Sequence, residues 1–174
     1  VGPIQVIETG LEVLESIESL AEKIGLDVKM GDLEIQHFEA DDYYAKNLNV
    51  ELGTPLIRIS RVINAENRPV AFLVDVLPES IFSREDLEAG FTGSVLDRLI
   101  ESKNIDLSIS KTLIQAEAAS SSIARALQIQ RGDVLLLFKA HLYSVEGNII
   151  DYSYSYFLPG YFRFHVVRRV GEAI

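Results

Sequence analysis

The sequence contains the same unit twice. Shifting the 174-residue chain by 79 positions aligns residues 16–63 with residues 95–142 without a gap. Ten of these 48 aligned pairs are identical, where average composition would give about three. A period of this length is too long for a solenoid repeat, so we expect one domain built from two copies of a supersecondary unit. Chance similarity between two amphipathic patterns is the alternative.

Each copy is expected to begin with a helix. Thr9 and Glu12 form a capping box, and the apolar residues that follow recur at helical spacing. This pattern predicts a first helix over residues 10–24. The helix of the second copy is expected to begin after Thr92 or Ser94.

Strands and short helices follow in the same order in both copies. Short helices begin after the capping residues Asp41 and Ser120. In each copy, turn residues after the second strand send the chain back as the partner strand of a β-hairpin. The predicted strands are 28–39 and 56–64 in the first copy and 107–118 and 134–143 in the second, each copy followed by its hairpin partner. A last strand over residues 161–169 has no counterpart in the first half. Strands joined by hairpins and interspersed with a few helices predict an α+β fold, an antiparallel sheet covered by helices.

Composition excludes several classes of protein. The net charge is −10 and the chain contains no Cys, so thiol chemistry and disulfides are absent and a reducing cytoplasm is the expected location. An acidic chain repels nucleic-acid phosphate, and the longest apolar stretches are too short to span a membrane. We therefore expect these residues neither to bind DNA themselves nor to enter a membrane.

The sequence lacks the motifs of common catalytic and cofactor sites. It has no phosphate-binding loop, no dinucleotide-binding glycine pattern and no nucleophile elbow. The three histidines, His37, His141 and His165, are scattered singly and are interpreted as structural. No metal, cofactor or catalytic residue is predicted.

Arg61 is the most informative single residue. Alternation along its strand places Arg61 on the same face as Ile57, Ile59 and Ile63. A guanidinium on an aliphatic face needs a partner if it is buried, because an isolated buried charge is costly. The aligned residue in the second copy is Ala140, so the fold itself does not require the charge. Arg61 is therefore a candidate for binding an anion, with an internal salt bridge or a solvated position as the alternatives.

A second group of candidates lies on the strand that begins near residue 150. One face of that strand carries Asp151, Ser153, Ser155 and Phe157, while three tyrosines occupy the other face. A carboxylate with several hydroxyls is suited to orienting a small polar ligand. The alternative is a solvated face with the tyrosines packed under a helix. Ser108 and Ser110, on the strand aligned with 28–39, are weaker candidates for the same site.

An ordered set of segments resembles a known family. The chain is similar to the effector-binding (UTRA) domain of GntR-type bacterial transcription regulators, in the HutC-like branch, over essentially its whole length. The segments are Ala45-x-x-Leu48-x-Val50-x-x-Gly53-Thr-Pro-Leu-Ile-Arg-Ile-Ser-Arg61-Val, Arg68-Pro69-Val70-Ala71, Leu77-Pro78, Asp151-Tyr-Ser-Tyr-Ser-Tyr156-Phe and Tyr161-Phe-Arg-Phe164.

The resemblance implies a fold and a function. It implies a chorismate-lyase-like α+β fold with two pseudo-symmetric halves, in which residues 1–174 form one domain that binds a small effector and forms a homodimer. In the complete regulator an N-terminal winged helix-turn-helix, absent from this sequence, would contact DNA. No enzymatic activity is expected.

The resemblance also assigns roles to particular residues. Arg61 matches the arginine that contacts the effector's anionic group in members that sense sugar phosphates. Asp151 stands where those members usually carry Glu, and Tyr156 or Phe157 stands at a ligand-contacting aromatic position.

Two departures from the family pattern bear on the ligand. The second arginine expected two residues after the first is Ile63, and the expected acidic residue on the next strand is Leu73. Two aliphatic side chains in place of a charged pair favour a smaller anion or a partly apolar carboxylate over a sugar phosphate.

Two other functions are compatible with the same fold. A lyase of the chorismate-lyase type would need an acid in a closed pocket, and Asp151 is the obvious acid on the candidate face. A structural dimerisation domain would fill the pocket with Leu73 and Ile63. Arg61 would then pair internally with Asp75 or Asp151.

Overall fold

The computed structural model describes residues 5–82, 84–88, 91, 93–102 and 104–172, without the side chains of residues 84 and 88. A short 3-10 turn, Glu79–Ile81, follows the fourth strand. The remaining elements are β1 (Ile7–Gly10), α1 (Ile17–Lys23), β2 (Val28–Glu39), α2 (Asp42–Leu48), β3 (Pro55–Ala65), β4 (Arg68–Pro78), α3 (Arg84–Glu88), α4 (Val95–Glu101), β5 (Leu107–Ala118), α5 (Ser121–Leu127), β6 (Val134–Ser144), β7 (Ile149–Phe157) and β8 (Phe162–His165).

The sheet confirms the predicted duplication. Six antiparallel strands are ordered β2-β3-β4-β7-β6-β5, so the two halves meet at the β4–β7 pair. The bounds of β5, α5 and β6 follow those of β2, α2 and β3 by 79 residues at both ends. The α+β class and the pseudo-symmetric halves are therefore as predicted.

The two short helices show how the repeat specifies its local structure. The side chains of Asp41 and Ser120 accept hydrogen bonds from backbone N–H groups in the first turn of α2 and α5. Each helix ends at a residue in the left-handed conformation, Asn49 at φ 51° and Gln128 at φ 55°. These caps satisfy the backbone groups that a helix terminus leaves unpaired.

The predicted helix over residues 10–24 is wrong in its first half. β1 occupies residues 7–10 and pairs in parallel with β8, and α1 begins only at Ile17 with Ser16 as its N-cap. The Glu12 carboxylate accepts a hydrogen bond from the Val167 backbone rather than closing a capping box. Pairing between distant ends of the chain overrides the local helical pattern. The last strand is also shorter than predicted, at residues 162–165.

Helices cover both faces of the sheet. On one face α2 and α5 pack over the tyrosines, where the Tyr43 and Tyr152 hydroxyls lie 2.6 Å apart and those of Tyr44 and Tyr154 lie 3.1 Å apart. On the other face α1 and α4 pack against the isoleucine face of β3. The helix that opens the second copy, α4, begins at Val95, with Ser94 as its N-cap. The alternative start after Thr92 lies outside the described residues. Within the described part of the chain, no helix is long and apolar enough to cross a membrane.

Candidate functional site

A cavity of about 530 Å³ lies on the α1 and α4 side of the sheet, over the pair of strands where the two halves meet. This volume is in the range of small-molecule sites. The floor is formed by β4, β7, β6 and β5, and the walls by the segment 9–17, α4 and β8. The cavity is lined by residues of both halves of the repeat.

The strand register explains why the candidate residues converge. One row of neighbours across the sheet runs Arg61, Leu73, Ser155 and Phe138. The next row, two residues further along β4, contains Asp75 and its neighbour in β7, Ser153. Because alternate residues of a strand share a face, all of these side chains lie on the cavity side.

Arg61 is buried and already has partners. It is 3% exposed, and its Nη1 donates to the Glu18 Oε1 of α1 and, at 2.8 Å, to the Gly93 carbonyl. Its Nε has no hydrogen-bond partner among the described residues. Of the interpretations that the sequence allowed for Arg61, the structure contains the internal salt bridge. Its partner is Glu18 and not Asp75 or Asp151, and the cavity lies alongside.

Asp75 and Asp151 form a pair of carboxyl groups in the cavity floor. Asp151 is 5% exposed, and its Oδ1 has no hydrogen-bond partner among the described residues. Burial raises the pKa of Asp151 well above its usual range, and the charge and hydrogen bond of Asp75 raise it further. A hydrogen bond with the Val76 backbone lowers this pKa but does not offset the rise. Asp151 therefore keeps its proton to a higher pH than an exposed carboxyl does, because burial and a neighbouring carboxyl both disfavour its charged form.

This pair makes stability depend on pH. A carboxyl whose pKa is raised by folding holds its proton more tightly in the folded chain, so its ionisation destabilises the fold increasingly above the unfolded pKa of about 3.9. We expect Asp151→Asn to raise the free energy of unfolding by about 1–2 kcal/mol at pH 7, since one unit of pKa corresponds to about 1.4 kcal/mol. The gain should vanish near pH 4. Urea denaturation at both pH values tests this, and an equal difference at the two would contradict it.

The cavity has a polar region and an apolar region. Asp75, Asp151 and the hydroxyls of Ser110 and Thr112, which lie 3.1 Å apart, belong to the polar region. Aromatic rings form the apolar region, where Phe138 packs against Phe157 and Phe164 at ring-centroid distances of 5.0 and 4.7 Å. A ligand with one polar and one apolar part matches this arrangement.

Most of the residues predicted from the sequence line this cavity. They are Arg61, Leu73, Ser108, Ser110, Asp151, Ser153 and Phe157. Their role in binding remains a prediction.

Two predicted site residues lie elsewhere. Tyr156 belongs to the opposite face of β7, where it packs near Phe72 under α5, because successive residues of a strand alternate between faces. Ile63 shares the face of Arg61 but is fully buried in the core beneath α1, among Ile17, Ala71 and their neighbours. Neither is among the described residues that line the cavity.

Several lining residues were not found from the sequence. The segment 11–15 lines the cavity with side chains that are half-buried or exposed, and Phe164 lines it beside Phe138 and Phe157. The sequence suggested Asp75 only as a partner of Arg61, and it suggested no role for Glu18. The period-two pattern of β4 placed Asp75 on the cavity face, and this signal was present in the sequence.

The described residues contain no group of three or more side chains suited to holding a metal ion. The histidines lie apart at the surface. His37 Nδ1 is 3.6 Å from a Glu79 carboxylate oxygen, and His141 Nε2 is 3.3 Å from Asn47 Oδ1. Burial and the charge of Lys111 lower the pKa of His141.

Similar solved structures come from bacterial regulators. PhnF from Mycobacterium smegmatis aligns with a TM-score of 0.85 at 19% identity, over 95% of this chain and 73% of that chain. The separate effector domain of PhnF aligns with a TM-score of 0.84 at 20% identity, over 94% and 100% of the two chains. A GntR-family transcriptional regulator from Enterococcus faecalis aligns with a TM-score of 0.66 at 20% identity, over 82% and 100%. At these identities the comparisons show the shared fold.

The fold is thus that of the effector domains of GntR-family regulators. The family model of the UTRA domain matches residues 23–163, and the chain belongs to this family. No curated protein sequence matched the chain. The resemblance predicted from the sequence is confirmed at the level of the UTRA domain, while the HutC-like branch and the homodimer remain predictions.

Proposed function

We propose that this chain is the ligand-sensing domain of a GntR-type transcription regulator and that its effector binds in the 530 Å³ cavity between the two halves. The observation that carries the proposal is the cavity itself, which residues of both halves line. Two of its lining residues contribute buried polar atoms that lack a partner within the described chain, Arg61 Nε and Asp151 Oδ1. Membership of the UTRA family and the likeness to the effector domain of PhnF support the proposal.

An anionic group of the effector would bind Arg61 in exchange for Glu18. The Nε–H of Arg61 offers a donor to an incoming carboxylate, and Glu18 already holds the position of such a group on Nη1. Glu18 belongs to α1. Displacing it would loosen α1 from the sheet, which provides a physical path from the ligand to the N-terminal side of the domain.

The sequence predicts that DNA is bound by a winged helix-turn-helix preceding this domain, and the proposal retains that arrangement. Ligand binding alters such a regulator only through a difference in affinity between two arrangements of its DNA-binding arms. Release of Glu18 from Arg61 would make the contact between α1 and the sheet differ between the ligand-free and the ligand-bound domain. Homodimerisation and a cytoplasmic location belong to the same proposal.

The proposal predicts stabilisation by a subset of small metabolites. Melting temperatures are measured against a panel of organic acids, amino acids and sugar phosphates. A ligand at 100 times its Kd should stabilise the fold by about 2.7 kcal/mol, which shifts the melting temperature of a domain of this size by several degrees. A folded chain that responds to no compound, before and after Arg61→Ala, would contradict the proposal.

A lyase on the same fold is the second candidate. Asp151 holds its proton more tightly than an ordinary carboxyl and lies buried in the floor of the cavity, as a general acid would. A direct assay of chorismate turnover separates this candidate from the sensor. A purely structural domain with a filled pocket is less well supported, because Ile63 lies in the core and leaves the space beside Leu73 open.

A further inference from the structure

The polar region of the cavity offers an unused acceptor. Asp151 Oδ1 is buried, lines the cavity and has no hydrogen-bond partner among the described residues. A buried polar atom without a partner costs free energy, and native proteins tolerate this mainly at functional sites. A ligand that donates a hydrogen bond to this oxygen would remove the cost.

The charges around this acceptor favour a cation. Among the described residues that line the cavity, the ionisable groups are Arg61 and the carboxyls of Glu12, Glu15, Asp75 and Asp151. Arg61 is already neutralised by Glu18, which reaches it from α1. No other lysine, arginine or histidine lines the described walls. Apart from Arg61, the ionisable groups along the described walls are carboxyls, so the field at the Asp75–Asp151 pair is negative.

We propose that the effector carries a protonated nitrogen, an ammonium or amidinium group, that donates to Asp151 Oδ1 and pairs with the Asp151 carboxylate. This inference rests on the proposed function, because it assigns a chemical class to the ligand of the same cavity. A hydrogen bond from a cation to a carboxylate is stronger than one between neutral groups. The surrounding hydroxyls of Ser110 and Ser153 accept the remaining N–H groups.

The binding step also releases a proton. Burial and the neighbouring Asp75 raise the pKa of Asp151, and an arriving N⁺–H group lowers that pKa because it stabilises the ionised form. A proton held by Asp151 in the free protein then passes to the buffer, and the Asp151 carboxylate is paired with the bound cation. The groups that face the pair are Arg61 with its partner Glu18, and Glu12 and Glu15 of the segment 11–15.

The position of Arg61 extends the inference to a ligand with two charges. Arg61 lies opposite Leu73, and Asp75 lies two residues further along the same strand. Diagonal neighbours on one face of a sheet are about 7–8 Å apart. Asp151 lies further away, two strands from Arg61 and four residues along β7 from Ser155, so a molecule with a carboxylate at Arg61 and a basic nitrogen at Asp151 must be longer than that distance. An apolar part would reach the rings beyond Ser155.

Three compounds with the same aromatic ring but different polar groups test whether binding in the cavity requires a positive charge. Benzylamine, benzyl alcohol and benzoate are titrated into the isotopically labelled chain, and amide shifts in NMR spectra report affinity in the millimolar range. We expect benzylamine to bind about tenfold more tightly than benzyl alcohol, as a charged hydrogen bond allows. Asp151→Asn and Asp75→Asn should each abolish this preference. Asp27→Asn, which removes an exposed carboxylate outside the cavity, should leave it unchanged.

The outcomes distinguish this inference from the proposed function. If benzyl alcohol shifts the residues around Asp151 as strongly as benzylamine does, the cavity binds ligands but the basic nitrogen is refuted. Shifts that benzoate causes around Arg61 support the proposed function alone. If none of the three compounds shifts the cavity residues, both the nitrogen and the ligand cavity are refuted.

Calorimetry in two buffers with different heats of ionisation provides an independent readout. Benzylamine should release up to about one proton per chain at neutral pH, and benzyl alcohol none. Equal proton release by the two compounds would overturn the exchange step.

Discussion

Replacing Glu18 with alanine should destabilise the chain far more than removing its partner Arg61. Removing one partner of a buried ion pair costs about 3–5 kcal/mol when a buried charge is left uncompensated. The side chain of Arg61 is 4% exposed and that of Glu18 is 25% exposed. In Glu18→Ala the guanidinium stays buried with only the Gly93 carbonyl as partner among the described residues, so we expect a loss near 3 kcal/mol. In Arg61→Met, Glu18 turns towards solvent, and the loss should be about 1 kcal/mol.

Urea denaturation of the two single variants and of the double variant measures this asymmetry. The double variant should be more stable than Glu18→Ala, because the buried charge leaves together with its partner. Glu15→Ala is a matched control nearby, since Glu15 pairs with the exposed Lys23. Its expected cost is below about 1 kcal/mol. A larger loss for Arg61→Met than for Glu18→Ala would show that Glu18 does not compensate the charge.

Filling the cavity from its floor should abolish ligand binding without unfolding the chain. Ser153 is half-buried on the cavity face of β7, between Asp75 on one side and Ala140 on the other. In Ser153→Trp the indole occupies space that the ligand would need. For compounds that raise the melting temperature of the unaltered chain, we expect about a 100-fold loss of affinity, or about 2.7 kcal/mol.

The neighbouring residue supplies the control for this substitution. Tyr154→Phe changes the opposite face of the same strand, where the Tyr154 hydroxyl lies 3.1 Å from that of Tyr44. It should cost about 1 kcal/mol of stability through the lost hydrogen bond and leave affinity unchanged. Isothermal titration with each variant measures the affinity, and urea denaturation measures the stability. Undiminished affinity in Ser153→Trp would place the ligand outside this cavity.

Much of the fold was predictable because its signals are local and occur twice. The strands over residues 28–39 and 107–118 and the caps at Asp41 and Ser120 are as predicted. Alternation along β3 correctly placed Arg61 among buried isoleucines. The duplication predicted two similar halves, and in the structure they meet in the middle of the sheet, where β4 and β7 are neighbours.

The helix predicted over residues 10–24 was wrong in its first half because of a long-range contact. Residues 7–10 pair with residues 162–165, and α1 begins only at Ile17. The apolar pattern before Ile17 was real, but a distant partner determined the outcome. Tyr156 was assigned to the ligand by family position, although the local alternation of β7 already places it on the opposite face, under α5.

The sequence by itself determined the repeated unit, the strand faces and the identity of most residues on the floor of the cavity, because period-two alternation and helix caps depend only on near neighbours. Only the tertiary structure decided that Glu18 neutralises Arg61, that Asp75 pairs with Asp151, and that the segment 11–15 lines the cavity. These contacts join elements that are distant in sequence, and their energies depend on burial that no local pattern encodes. The charge that the ligand encounters is therefore a property of the assembled fold.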